Sequence, residues 1–424
     1  MRWILSVCLL FSVLVSPVKA GEDEARGETL VIFAFFGMAL GAVVTFVLNR
    51  LQLNLPYTVV LLVLGLAVGE WFTHEQEKWA DYGEAIRLWQ GIDPELIFYS
   101  FLPVLIFGDA QSLNWHHVKA SVVQSLLLAG PGVLIGAFFT GIFMYFAMPL
   151  DWSWYLCMVF GAVLSATDPV AVVSLLHDAG APSSLTILII GESLLNDGTA
   201  IVLFKLYFSM MEGDTYSAGD VVVYFLQMVL GSPAVGVLFG LVGVFCLSMA
   251  SKPTSRDDVT IQTATSVCCA YFVFFFAEYE CGLSGVLATA TAGVMFAWLS
   301  PTTIISQENM DHIWHFAEWL CNTLIFLLTG LLIGTIDTVS RRDWWFLIVI
   351  YVYLSVLRCG IVAILFPILR RIGLPVSVND ALFMSFAGLR GALACALGVC
   401  PYWVFFAFCF LILIFFRSDR TVGA

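Results

Sequence analysis

The sequence predicts an all-α polytopic membrane protein of about 13 transmembrane helices, built as two inverted repeats that each contain a discontinuous helix. Three observations carry this. Hydrophobic residues make up 60% of the 424 and charged residues 12%, whereas soluble domains carry about 25% charged residues. The apolar residues fall in consecutive runs near the ~20 residues that a helix needs to cross a bilayer. Two of those runs are interrupted by Pro or Gly beside a charged residue, at Asp168 and at Arg390.

Residues 1–20, with Arg2 and an apolar stretch from Trp3 to Val15, have the layout of a signal peptide cut after Ala20. An acidic segment, 21–29, comes next and is expected outside the membrane. Apolar runs then fall at about 30–49, 57–70, 95–108, 121–148, 153–176, 184–210, 220–250, 259–277, 283–299, 313–336, 344–369, 380–399 and 402–416. They form one transmembrane unit over 30–416, with a short cytoplasmic tail at 417–424 and no sizeable soluble domain. With the N-terminus extracellular, these spans put eight Lys and Arg on the cytoplasmic side against five outside, and the C-terminus inside. The 11 cysteines lie mostly within the runs and form no C-x-x-C pair, so they read as small core residues. A net charge of −13 argues against nucleic acid as a partner.

Seven ionisable residues fall within the runs: Asp168, Glu192, Asp197, Lys205, Glu318, Arg358 and Arg390. A charge at mid-bilayer costs about 2.5–3.5 kcal/mol on insertion scales, so each needs a partner, water or a task. Lys205 and Glu318 are expected near span ends, where a long side chain reaches water. In "SATDPVAVV" (165–173) Pro169 removes a backbone donor and disfavours helix at the preceding residue, so the span should break near Thr167. In "AGLRGALA" Gly388 and Gly391 flank Arg390 and mark a second break. In "GESLLNDGTAIVLF" (191–204) Glu192 and Asn196 share a helix face, and Asp197 lies about 100° round from Asn196. Arg358 is the guanidinium expected to neutralise Glu192, since it stays charged when buried and forks onto a carboxylate. Asp197 is expected to look into a cavity. Desolvation disfavours the charged form of a carboxylate, so such a group holds a proton until a hard cation displaces it.

"SATDPVAVV", "GESLLNDGTAIVLF" and "GLRGALA", in this order, resemble the monovalent cation:proton antiporters, the sodium/proton exchanger family, and most of all its plant salt-tolerance plasma-membrane branch. "LPYTVVLLVLGLAVG" (55–69), "FLPVLIFGDA" (101–110) and "LLLAGPGVLIG" (126–136) agree with it, and the likeness runs from about 30 to about 399. The resemblance implies a core domain with two crossed discontinuous helices, drawn from 153–210 and 344–399, and a scaffold that forms a homodimer. It makes Asp197 the carboxylate for Na⁺ (or Li⁺ or K⁺) and the proton, with Asn196 as its amide neighbour. Asp168 and Thr167 become the first crossing and join Asp197 and Asn196 as cation- and proton-binding residues, Arg390 the second crossing, and Glu192 with Arg358 a buried ion pair. An Asn before the Asp implies electroneutral exchange of one cation for one proton. Na⁺ and H⁺ are then the substrates, lipid the surroundings and the plasma membrane the site; no cofactor is implied, and the protein is not an enzyme. From Cys400 on the sequence departs from the family's last helix, and the plant branch's long cytoplasmic tail is absent. A transport-deficient, truncated exchanger is therefore one alternative.

Other classes are weaker. "GLSG" (282–285) matches the G-x-S-G of intramembrane serine proteases, with His312 or His315 as base, but four residues also make a small-residue packing turn. His312, His315, His116 and His117 read better as surface residues than as metal ligands. A cation channel also wants buried polar groups, yet a titratable Asp beside broken helices favours alternating access.

Overall fold

A computed structural model describes residues 25–51, 55–74, 94–148, 152–167, 183–250, 257–334 and 341–386. The signal peptide (1–20), Asp168, Arg390, the run at 402–416 and the tail lie outside the described residues. The regular structure within them is entirely helical. In order come α1 (Ala25–Leu51), α2 (Tyr57–His74), α3 (Pro94–Gln111), α4 (Trp115–Leu127), α5 (Val133–Ala147), α6 (Trp154–Ser165) and α7 (Ser183–Glu212). Beyond these lie α8 (Ala218–Leu226), α9 (Ser232–Met249), α10 (Asp257–Phe275), α11 (Gly285–Leu299), α12 (Gln307–Gly334), α13 (Arg341–Leu369) and α14 (Val378–Phe386). Single π-helical turns join α4 to α5 (Leu128–Gly132, at Pro131), α8 to α9 (Gln227–Gly231) and extend α10 (Phe276–Glu280). Each turn keeps the helix continuous while rotating its downstream part, so α4–α5, α8–α9 and α10 each cross as one rod.

Among the described residues eight helices are long and apolar enough to cross a membrane, and Tyr57–Trp71 and Trp154–Ser165 are shorter apolar helices. The protein is an integral membrane protein. Helix starts obey local chemistry: Ser217 and Asp220 form a capping box at α8, and Ser377 and Asp380 exchange the same pair of bonds at α14, at 3.1 and 2.8 Å.

Packing falls into two groups. In the first, α1, α2, α3, α9, α10, α11 and α12 bury a common core that includes Phe107, Phe296 and Trp314. Small residues bring α2 and α12 together: a Cβ on Gly65 would lie 2.4 Å from Leu327 O, and one on Gly330 2.2 Å from Leu62 O. Where lipid supplies no hydrophobic drive between helices, such close backbone approach provides the dispersion contacts that hold them. In the second group, α4 to α7 pack with α13 and α14 around clusters centred on Leu188, Phe160 and Leu203. The helix α7 belongs to this second group but also meets the first: Leu194 and Ile201 pack with Leu102, Phe274 and Val286, and Val202 with Leu287.

Two sequence expectations need correction. Glu318 does not lie near a helix end. The helix α12 begins at Gln307, well before the apolar run that suggested its start, and Glu318 is half-buried with its carboxylate packed on Gly108 of α3. Lys205 does not rely on water alone, because it forms an ion pair with Glu278.

Candidate functional site

The site forms where α6 ends against the middle of α7. The helix stops at Ser165, and Ala166 is extended at φ −63°, ψ 135°; helices usually end at or before the residue that precedes a proline, here Pro169. The unwound end is strapped to α7 twice. The Thr167 carbonyl accepts a hydrogen bond from Ser193 Oγ, and Thr167 Oγ1 accepts one from Asn196 Nδ2 at 2.9 Å. Ser193 and Asn196 are one turn apart, so one face of α7 reads both the backbone and the side chain of Thr167.

On the same face Glu192 Oε1 accepts from Arg358 Nη2 on α13 and lies 3.5 Å from Asn196 Nδ2. Glu192 is 2% exposed and Asn196 fully buried. The guanidinium thus neutralises a carboxylate that could not stay charged alone at this depth. Glu192 can only accept hydrogen bonds while ionised, which fixes the Asn196 amide nitrogen toward it and toward Thr167. The amide oxygen is therefore turned away. Asn196 Oδ1 is buried with no hydrogen-bond partner, and Arg358 Nε is likewise unsatisfied among the described residues.

Asp197 is the next residue and is half-buried. By helical geometry it lies about 100° from Asn196 but only about 40–60° from Ile201 and Leu194. Those two residues face α3, α10 and α11. Asp197 thus stands on the border between the face of α7 that carries Glu192 and Asn196 and the face that meets the other packing group. The structure brings Thr167, Glu192, Asn196 and Arg358 into one network and places Asp197 at its edge; Asp168 and Arg390 lie outside the described residues.

Other polar residues resolve differently. Ser284 is 1% exposed and caps α11: its Oγ accepts from Leu287 N at 3.4 Å, while its N–H donates to Ser232 Oγ at 3.0 Å. The "GLSG" stretch is a packing turn, with Gly282 at φ 61°. His312 sits on the exposed side of α12, 3.9 Å from Glu308. No group of three or more His, Cys, Asp or Glu that could hold a metal occurs among the described residues. Ser193 was not singled out by sequence; a hydroxyl one turn from Asn196 was the available signal. Glu278 was also missed, because it lies just beyond the apolar run at 259–277.

A buried carboxylate, an amide and a guanidinium gathered at an unwound helix end are the kind of polar cluster that membrane proteins keep at depth for a task. The chain belongs to the sodium/hydrogen exchanger family: the profile described as "Sodium/hydrogen exchanger, transmembrane" matches residues 31–402. It is 34% identical over 394 residues to Sodium/hydrogen exchanger 8 of Arabidopsis thaliana, covering 91% of this chain and 51% of that protein. To Sodium/hydrogen exchanger 7 of the same plant it is 36% identical over 392 residues, covering 91% and 34%. The chain thus spans about half, or a third, of the length of these relatives. The structure of the sodium proton antiporter MjNhaP1 from Methanocaldococcus jannaschii at pH 8 superposes with a TM-score of 0.71 at 17% identity, over 92% of this chain and 98% of that one. The fold is that antiporter's fold.

Proposed function

We propose that the chain exchanges Na⁺ for H⁺ by alternating access, with the cation and the proton competing for Asp197 and with Asn196 Oδ1 as a second cation ligand. One observation carries the proposal. Asn196 presents a fully buried oxygen that accepts no hydrogen bond among the described residues, next to a half-buried carboxylate at the border of the two packing groups. An unsatisfied buried acceptor costs about 1–3 kcal/mol. A bound Na⁺, a hard cation that takes oxygen ligands, removes that cost. The neighbouring residues then have structural roles. Glu192 and Arg358 neutralise each other and, with Thr167 and Ser193, hold the amide in orientation; Asp168 and Arg390 are assigned to the two crossings by resemblance.

In each cycle Na⁺ binds the Asp197 carboxylate and releases its proton on one side; on the other Na⁺ leaves and a proton returns. One carboxylate then carries one cation in one direction and one proton in the other, and no net charge moves. The homodimer, the extracellular N-terminus and the plasma membrane belong to the same proposal and rest on family likeness and on the distribution of Lys and Arg.

The test is transport in proteoliposomes under imposed Na⁺ and pH gradients, with the membrane potential clamped by valinomycin and K⁺. Wild type should exchange at a rate indifferent to the clamp, and its apparent Na⁺ affinity should weaken as pH falls, because protonated Asp197 cannot bind the cation. Asp197→Asn should abolish both Na⁺ uptake and proton release, since an amide neither takes up a proton nor supplies charge. Exchange retained in Asp197→Asn would defeat the assignment. A rate that tracks the potential would defeat the one-for-one stoichiometry and point to a second titrating acid such as Asp168.

A further inference from the structure

The helix α7 carries a second ion pair that takes no part in the network around Asn196. The Nζ of Lys205 contacts Glu278 Oε1, with the side chains 31% and 10% exposed. Lys205 lies about 12 Å along the axis from Asp197, at eight residues of 1.5 Å rise. It continues the stripe formed by Leu194, Gly198, Ile201 and Val202, spaced at i, i+4, i+7, i+8 and i+11, which faces the first packing group. At Gly198 the approach is so close that a Cβ would lie 2.2 Å from Leu287 of α11. The pair therefore crosses the seam between the two groups.

Glu278 is built to be a fixed anchor. It sits in the π-helical turn Phe276–Glu280, and its other oxygen, Oε2, accepts from Gly285 N at 3.0 Å across the 281–284 turn. That turn is closed by Leu283 N donating to Ala277 O at 2.8 Å and is tied to α9 through Ser232. One oxygen thus belongs to the hairpin of α10 and α11, while the other reaches out to α7.

The far ends of the helices are tied differently. Gln124 of α4, fully buried, donates to Leu369 O and Leu374 O at 2.9 and 2.8 Å and accepts from Leu374 N at 3.0 Å, within the second group. Gln262 of α10 donates to Thr303 O at 2.9 Å and accepts from Ile305 N at 3.0 Å, within the first. Gln262 and Glu278 lie on one continuous helical rod, about 24 Å apart by rise per residue. These glutamine clasps secure loops inside a group, that of Gln262 at the opposite end of the α10 rod from Glu278, whereas Lys205–Glu278 joins the groups.

We propose that the Lys205–Glu278 pair is a latch across the seam, closed while Asp197 is open to the membrane face at the Gln262 end of α10 and broken when Asp197 opens to the latch's own face. The proposal rests on the exchanger reading above. The less enclosed of the two ion pairs on α7 suits a contact that must be made and broken in every cycle, because parting it strands charge less completely. Lys205→Gln isolates the latch: it removes the cross-seam contact and leaves the Glu278 bond to Gly285 in place.

Two measurements test it. In hydrogen–deuterium exchange on the full chain in detergent, Lys205→Gln should raise uptake several-fold over 203–212 and 276–284 but not around Gln262, and Lys205→Arg should restore protection. Unchanged uptake in Lys205→Gln would overturn the latch whether or not the protein transports. In proteoliposomes, a Lys205→Cys, Glu278→Cys chain, with Cys246, Cys268 and Cys281 changed to Ser, is joined by a short thiol-cleavable bis-methanethiosulfonate. Linking should stop exchange, and reductant should restore it. Undiminished exchange in the linked protein would overturn the latch alone, whereas absence of exchange in wild type would count against the exchanger reading and leave the hydrogen-exchange result to decide the latch.

Discussion

Two ion pairs share α7 and differ in how far they are enclosed and in what they join. Glu192 and Arg358 are 3% and 15% exposed and lie within one packing group, whereas Lys205 and Glu278 are 31% and 10% exposed and join two groups. Burial makes the first pair hard to break, because separating it strands a charge in a medium that cannot solvate it. The second pair is the less enclosed, with Lys205 the most exposed of the four side chains, so parting it strands charge less completely. Depth, more than the mere presence of opposite charges, decides whether an ion pair fixes a structure or lets it move. The helix that carries the candidate cation site is held firmly on one face and loosely on the other.

The largest effect is expected from breaking the buried pair. Arg358→Ala leaves Glu192 charged and uncompensated at a cost of about 3–5 kcal/mol. It should therefore lower the melting temperature in detergent strongly and abolish exchange. Replacing both partners, Glu192→Gln with Arg358→Met, removes the stranded charge and should recover part of the lost stability. A melting curve for Arg358→Ala that matches wild type would mean that the pair does not hold α13 to α7, and the contrast with Lys205–Glu278 would collapse.

A smaller effect separates orientation from stability. Thr167→Val keeps the shape of the side chain but removes the oxygen that accepts from Asn196 Nδ2 at 2.9 Å, leaving only the 3.5 Å approach to Glu192. A buried donor that loses its partner costs about 1–3 kcal/mol. With the amide less firmly oriented, Asn196 Oδ1 is presented less often, so apparent Na⁺ affinity should fall more than maximal rate. Sodium titration of exchange in proteoliposomes checks this, and an unaltered affinity would show that the strap from Thr167 does not position the amide.

Legibility in the sequence divides along the same lines of depth and partner. Where the first 12 apolar runs are described they coincide largely with helices, because in lipid every backbone polar group must be satisfied within its own segment. The Glu192–Arg358 contact was legible for a similar reason: few residues can remain charged at that depth, and a guanidinium is the one suited to a carboxylate. Lys205–Glu278 was not legible. Glu278 lies past the apolar run that marks α10, and only the π-helical turn carries the helix on to Glu280 and brings the carboxylate to α7. Glu318 was misplaced because Gln307–Asp311 is polar yet helical, so hydropathy put the start of α12 too late. Ser193 escaped because its partner is a backbone carbonyl at an unwound helix end, which composition does not register.

The smallest effect sharpens the comparison most. Lys205→Gln should cost less than about 1 kcal/mol in equilibrium stability, since a partly exposed pair gains little over two hydrated charges. Glu278→Ala should cost more, because it also removes the acceptor for Gly285 N and loosens the turn into α11. The excess belongs to the turn, and a double-mutant cycle isolates the part that depends on Lys205. That coupling should fall as ionic strength rises from about 0.01 M to about 1 M, where the screening length drops from about 30 Å to about 3 Å. The Glu192–Arg358 coupling, shielded from solvent ions, should change little over the same range. Equal salt dependence in the two cycles would show that both pairs are equally solvated in the working protein, and that exposure does not distinguish the fixed face of α7 from the movable one.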